Sequence, residues 1–129
     1  PLDALASARV APPEQAPPPA PYLVAQNPGL LDVDLSIEIN GEIVSRPNAR
    51  GLYWTPAQML AHLTVNGAGV SAGDLFATGT ISGAQHQTEG SLAELHRGER
   101  WLQDGDEVTL RATAQDSALA EVRGRVVAS

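Results

Sequence analysis

Asp32-Val33-Asp34-Leu35-Ser36-Ile37-Glu38-Ile39-Asn40-Gly41-Glu42-Ile43-Val44-Ser45 is the stretch whose reading decides the fold. From Asp32 to Asn40 polar and apolar residues alternate strictly. Successive side chains of a strand point to opposite faces, so this pattern predicts a strand with one face buried. Asn40-Gly41 supplies the two residues that most readily adopt positive φ, as a two-residue hairpin turn requires. The chain is therefore expected to return through Glu42–Ser45. Asp32, Asp34 and Glu38 fall on the polar side of this hairpin. Acids at that spacing offer either ligands for a divalent cation or simply the solvated face of a sheet.

Downstream, Thr55 and Pro56 carry a helix-start signal, a hydroxyl cap followed by proline at the first helical position. Residues 57–64 propagate the helix and Asn66-Gly67 stops it. Met59, Leu60 and Leu63 share a face, which predicts packing on the sheet. Alternation resumes from Glu107 to Ala114 after the Asp104-Gly105-Asp106 turn, and Leu119 to Val127 reads as a last strand. Upstream, residues 11–21 hold six prolines in eleven positions, a composition that favours polyproline II and offers few backbone donors. Residues 1–31 are read as a Pro-rich connector lying over a neighbouring surface, with an unstructured tail as the alternative, and residues 32–129 as the folded part. The expected architecture is mainly β (α+β), a mixed β-sandwich roll with one helix.

Composition narrows the functions. A chain of 129 residues with 43% apolar residues allows one core, and with only 4% aromatics that core is aliphatic. Fifteen acids against eight basic residues, all Arg, give a net charge of −7. This disfavours nucleic acid and anionic membranes, which need clustered positive charge. The absence of Lys removes a Lys nucleophile or Schiff base from these residues. The absence of Cys removes disulfides and thiolate sites, and fits a cytoplasmic location. No apolar run approaches a membrane span of roughly 20 residues, and no signal peptide is visible.

Chemistry concentrates in Gly73-Asp74-Leu75-Phe76-Ala77-Thr78-Gly79-Thr80-Ile81-Ser82-Gly83 and in the acid of Leu92-Ala93-Glu94-Leu95. The first reads as a strand opening into a Gly-flanked Thr/Ser loop, suited to offer hydroxyls and bare N–H groups to an anion. Glu94 sits among small and apolar residues, a setting that raises a carboxyl pKa unless a cation or donor meets it. Strand periodicity alone turns Glu94 outward between Ala93 and Leu95. His62, His86 and His96 fit no zinc spacing, and no Gly-x-Ser-x-Gly elbow is present. Read from residues alone, the chain holds a candidate anion loop and one candidate acid but no complete catalytic set.

Four segments, in order, resemble the fumarylacetoacetase family. Ile43–Thr55 is similar to the lead into that family's helix, and Gln58 with Leu60–Gly67 to the helix and its exit. Gly73-Asp74-Leu75 through Thr80-Ile81-Ser82-Gly83 resembles its most characteristic loop, and Leu102–Val108 its late turn. The broader superfamily, with its acylpyruvases and oxaloacetate decarboxylases, usually has Thr-Pro-x-Gly where this chain has Thr80-Ile81-Ser82-Gly83. That favours the fumarylacetoacetases.

The resemblance implies the C-terminal part of a metal-dependent carbon–carbon hydrolase that cuts fumarylacetoacetate into fumarate and acetoacetate, in tyrosine and phenylalanine catabolism. Other acylpyruvate-type hydrolases or decarboxylases, or a non-catalytic binding or assembly module, are the alternatives. By position, Thr80 resembles the family's substrate-binding threonine and Glu94 the acid that orients a catalytic His. The family's base His and its acidic ligands for Ca²⁺ or Mg²⁺ lie upstream of the matching segments. The resemblance thus implies three partners: the N-terminal part of the same enzyme, a second subunit, and a small diketo acid. These residues alone are expected to be inactive. Two departures stand out: a short link from Arg97 to Leu102, and an ending, Glu121–Val127, without the family's aromatic and Cys pattern.

Overall fold

The computed structural model describes residues 2–24, 29–115 and 117–128; residues 1 and 25–28 of the expected connector lie outside them. A 3₁₀ turn over Leu2–Ala8 leads into β1 (Arg9–Val10), which pairs antiparallel with β2 (Leu30–Leu31). The decisive hairpin follows as β3 (Asp34–Ile39) and β4 (Glu42–Ser45). Asn40 and Gly41 turn it with φ of 52° and 85°, the positive values that select Asn-Gly. Helix α1 (Pro56–Thr64) and a single helical turn, α2 (Leu92–Leu95), precede β5 (Glu107–Ala114) and β6 (Ser117–Arg125). The larger sheet runs β4-β3-β5-β6, with every neighbouring pair antiparallel. Among the described residues, two antiparallel sheets and one full helix make the fold mainly β, as the alternation implies. No helix among the described residues is long and apolar enough to cross a membrane.

The register sorts the sheet's two faces. Ile37 pairs with Leu110 and Leu110 with Val122; Leu35 pairs with Ala112 and Ala112 with Ala120. Those rows form an apolar face. On the opposite face Arg111 bridges Glu38 at 2.5 Å and Glu121 at 2.8 Å. The best-buried apolar cluster is small, Ala8, Val33 and Ala114, with Leu5, Leu31, Leu35 and Ala112 against it. Ala8 belongs to the N-terminal turn, so that turn is stitched into the core, with Asp32 N–H donating to Ala8 O at 2.7 Å.

Helix α1 begins where Thr55 and Pro56 place it. Thr55 Oγ1 accepts from Gln58 N and Gln58 Oε1 accepts from Thr55 N, a complete capping box. Its packing differs from expectation. Leu60 and Leu63 are 42% and 52% exposed, and the helix rests on the Pro21–Leu23 turn. Gln58 holds it there, buried, donating to Leu23 O at 3.1 Å and exchanging hydrogen bonds with Gln15. Amide bonds, not an aliphatic stripe, dock this helix. Two other expectations are corrected. The last strand is Ser117–Arg125 rather than Leu119–Val127, because it starts at the β5 turn. Leu75–Ala77 forms no strand; no neighbouring backbone pairs with it among the described residues, and Leu75 is 96% exposed.

Candidate functional site

The end of β4 builds the site. Arg46 N–H donates to Gln87 O at 2.7 Å, and the buried Ser45 hydroxyl lies 2.5 Å from Glu89 O. These contacts tie residues 87–89 to the sheet. Gly83 N–H then donates to Thr88 O at 2.7 Å, which lays the Thr80–Gly83 loop beside the same segment. Glycine is required twice here. A Cβ on Gly83 would sit 2.5 Å from Thr88 Oγ1, and one on Gly90 only 2.2 Å from Ile81 O. Both contacts lie well inside van der Waals distance, so only bare backbone lets the loop close.

Two serines complete the arrangement. Ser82 Oγ accepts from Gly90 N–H at 3.0 Å and donates to Glu94 Oε2 at 2.7 Å. Ser91 caps α2, accepting from Glu94 N–H at 3.3 Å, while its hydroxyl donates to the same Oε2 at 3.1 Å. One carboxylate oxygen thus takes both hydroxyls, and Oε1 has no partner among the described residues. The Ser82 hydroxyl foremost, then that of Ser91, holds the Glu94 carboxyl below its ordinary value; partial desolvation and the nearby Glu89 charge oppose them. One expectation is therefore corrected: Glu94 lies on a helical turn rather than a strand. Two donors meet its carboxyl, the condition under which no rise in its pKa is expected. The signal was present as Ser91-x-x-Glu94, the spacing of a capped helix start.

Thr80 lies at the neck of the same arrangement. Its methyl abuts Gly90, and Thr80 lines a cleft of about 210 Å³ between the loop and the sheet, with Gly79, Ile81, Leu35 and Leu110. Among the described residues its hydroxyl has no hydrogen-bond partner. Thr80 and Glu94 are thus brought to one cluster through Gly90 and Ser82, and Ser82 is the residue that sequence reasoning left out. The Ser82 hydroxyl is engaged by Glu94 and Gly90, so Thr80 alone of the two keeps a free hydroxyl.

The imidazoles lie elsewhere. His62 Nδ1 meets Tyr22 Oη at 3.0 Å, and His86 Nδ1 meets Glu89 Oε1 at 3.3 Å. His96 lines a separate cavity of about 550 Å³ with Asn40, Arg100 and Trp101. That cavity includes neither Thr80 nor Glu94, so its size does not make it the site. No group of three or more metal-ligating side chains occurs among the described residues. Asp32 and Asp34 both accept from Asn48 Nδ2 at 2.8 Å, so this acid pair closes a loop onto β3. Among the described residues no cage for Ca²⁺ or Mg²⁺ is formed.

The candidate site is thus a hydroxyl loop locked by glycine contacts onto a capped carboxylate, carried on an antiparallel sheet. The model of the fumarylacetoacetate hydrolase C-terminal family matches residues 5–127, and the chain belongs to that family. It is 39% identical to the fumarylacetoacetase of Bos taurus over 133 residues, covering 89% of this chain and 32% of that protein. The Caenorhabditis elegans fumarylacetoacetase is 37% identical over 147 residues (98% and 35%), and the Homo sapiens one 37% over 133 residues (89% and 32%). The chain spans about a third of the length of the curated relatives it matches.

Proposed function

We propose that this chain contributes the Thr80 and Glu94 side of the active site of a fumarylacetoacetase-type hydrolase. The supporting observation is the joint placement of these two residues by Ser82 and Gly90, in a chain of that family. In this reading Glu94 Oε1 accepts the N–H of an imidazole carried by another part of the enzyme. That bond sets the tautomer and stabilises the imidazolium as it forms. The other imidazole nitrogen takes a proton from water, and the hydroxide adds to a carbonyl of a β-diketo acid such as fumarylacetoacetate. The carbon–carbon bond then breaks, its electron pair leaving as the acetoacetate enolate, which regains the proton at carbon. Water is consumed and fumarate and acetoacetate leave. Thr80 donates its free hydroxyl to the substrate. Ca²⁺ or Mg²⁺, where the enzyme uses it, is held by residues outside this chain.

The test is turnover of fumarylacetoacetate by this chain co-expressed with the two thirds of the bovine enzyme outside the matched region. Glu94→Gln is expected to lower kcat by about 10²–10⁴-fold, the range of a general-base contribution. Thr80→Val is expected to raise KM. Full activity of Glu94→Gln would sink the assignment. A faster reaction with acylpyruvates in the same panel would move the substrate to that class, and absence of any turnover would leave a binding module.

A further inference from the structure

The His96 cavity, about 550 Å³, takes no part in the chemistry proposed for Thr80 and Glu94. Its size falls in the range that buries most of a small organic ligand. The floor is aliphatic: Ile39 of β3, Ile43 and Val44 of β4, Leu92 and Leu95 of α2, and Leu102. The adjoining cleft of about 170 Å³ shares five of these residues and extends the floor to Val108 and Leu110 of β5.

The polar lining divides into engaged and free groups. His86 meets Glu89 Oε1 at 3.3 Å. Both oxygens of Asp106 are taken, by Asn40 Nδ2 at 2.8 Å and by Gln103 N–H at 2.7 Å. Glu42 is exposed at the hairpin end, where water and salt screen its charge. The Arg100 guanidinium, the His96 imidazole and the Trp101 indole remain. Among the described residues none of these three side chains has a hydrogen-bond or ion-pair partner. A guanidinium matches the two oxygens of a carboxylate, and an indole offers a flat apolar face for a second ring.

We propose that this cavity binds an aryl monocarboxylate, with its carboxylate on Arg100 and His96 and its ring between Trp101 and the aliphatic floor. A second negative charge on the ligand would meet Glu42 and Asp106, which restricts the class to monocarboxylates. Leu92 and Leu95 belong to the turn that presents Glu94 to Ser82, so occupancy of the cavity is transmitted to the Glu94 carboxyl. Only its effect on turnover rests on the hydrolase reading above.

The experiment is an NMR titration of the full chain with 3-phenylpropanoate, read at the indole N–H signals of Trp54 and Trp101, which Trp54→Phe assigns. The Trp101 signal is expected to shift saturably, with Kd below about 1 mM, while the Trp54 signal stays. Arg100→Gln, the uncharged 3-phenylpropanamide and the dianion phenylsuccinate are each expected to weaken binding by about tenfold or more. Arg100 is exposed, so Arg100→Gln is expected to melt with the parent chain and its lost binding is not lost fold. The Glu94 carboxyl carbon signal is expected to move with the same Kd. No saturable shift up to about 10 mM overturns the site, and so does equal binding of the amide or by Arg100→Gln. A shift at Trp54 instead puts the ligand beside Tyr22 and His62 and overturns it as well. An unmoved Glu94 signal overturns the link through α2. Binding is read without turnover, so an inert co-expressed enzyme would sink the hydrolase reading and leave this site standing.

Discussion

Gly90→Ala tests the contact on which the candidate site depends. A Cβ there would lie 2.2 Å from Ile81 O, 2.6 Å from Thr80 Cγ2 and 2.8 Å from Ile81 C. Carbon atoms rest about 3.5–4.0 Å from such neighbours, so the loop must retreat by more than about 1 Å. Two of the three atoms are main chain, and no rotamer change relieves them. Overpacking of this kind costs about 1–3 kcal/mol. The retreat also breaks the 3.0 Å bond from Gly90 N–H to Ser82 Oγ, worth about 1 kcal/mol. The expected loss is about 2–4 kcal/mol, or a fall in Tm of roughly 10 °C for a domain of this size. Thermal unfolding followed by circular dichroism reads it directly. Gly69→Ala is the control, since nothing lies within 4 Å of a Cβ at that position. It is expected to be neutral or slightly stabilising, by up to about 1 kcal/mol. If the two variants melt within 2 °C of each other, the close packing of Gly90 on the Thr80 loop is wrong.

Ser82→Ala removes the main donor to Glu94, so the Glu94 carboxyl is expected to titrate at higher pH than in the parent chain, which carboxyl carbon NMR resolves. An unchanged titration would mean that Ser82 does not hold the carboxylate. Glu89, Glu94, Asp106 and Glu107 all have carboxyls depressed by hydrogen bonds, those of the last two foremost from the Gln103 backbone and from Arg123. Their folded pKa values lie below the unfolded ones, so the unfolded chain binds more protons in acid. Their contribution is present above about pH 4.5 and is lost as pH falls through the folded values; urea midpoints flat from pH 6 to 3 would contradict this. Thr55→Ala breaks the capping box and is expected to cost about 1–2 kcal/mol, with loss of helical signal from α1. A helix signal and midpoint equal to the parent's would show that Gln58's bonds to Gln15 and Leu23 suffice to hold the helix.

Local chemistry settles what the sequence by itself determines. The β3–β4 hairpin follows from period-two alternation and an Asn-Gly turn, and α1 starts at Thr55-Pro56 because cap and fixed φ act within one turn of chain. β5 spans Glu107–Ala114, the very residues that alternate. The order of the Thr80 loop and Glu94 along the chain already resembles the family that the match over residues 5–127 establishes. Tertiary structure decided the rest. The Glu94 carboxyl has a lowered rather than a raised pKa because Ser82, twelve positions away, folds back onto it. The helix docks through Gln58 because its partner, Gln15, lies 43 residues upstream. Leu75–Ala77 carries the apolar pattern of a strand but forms none, since a strand needs a neighbouring backbone and its own residues cannot supply one. Periodicity reports which side of an element prefers to be buried; what buries it is a property of chain brought from elsewhere.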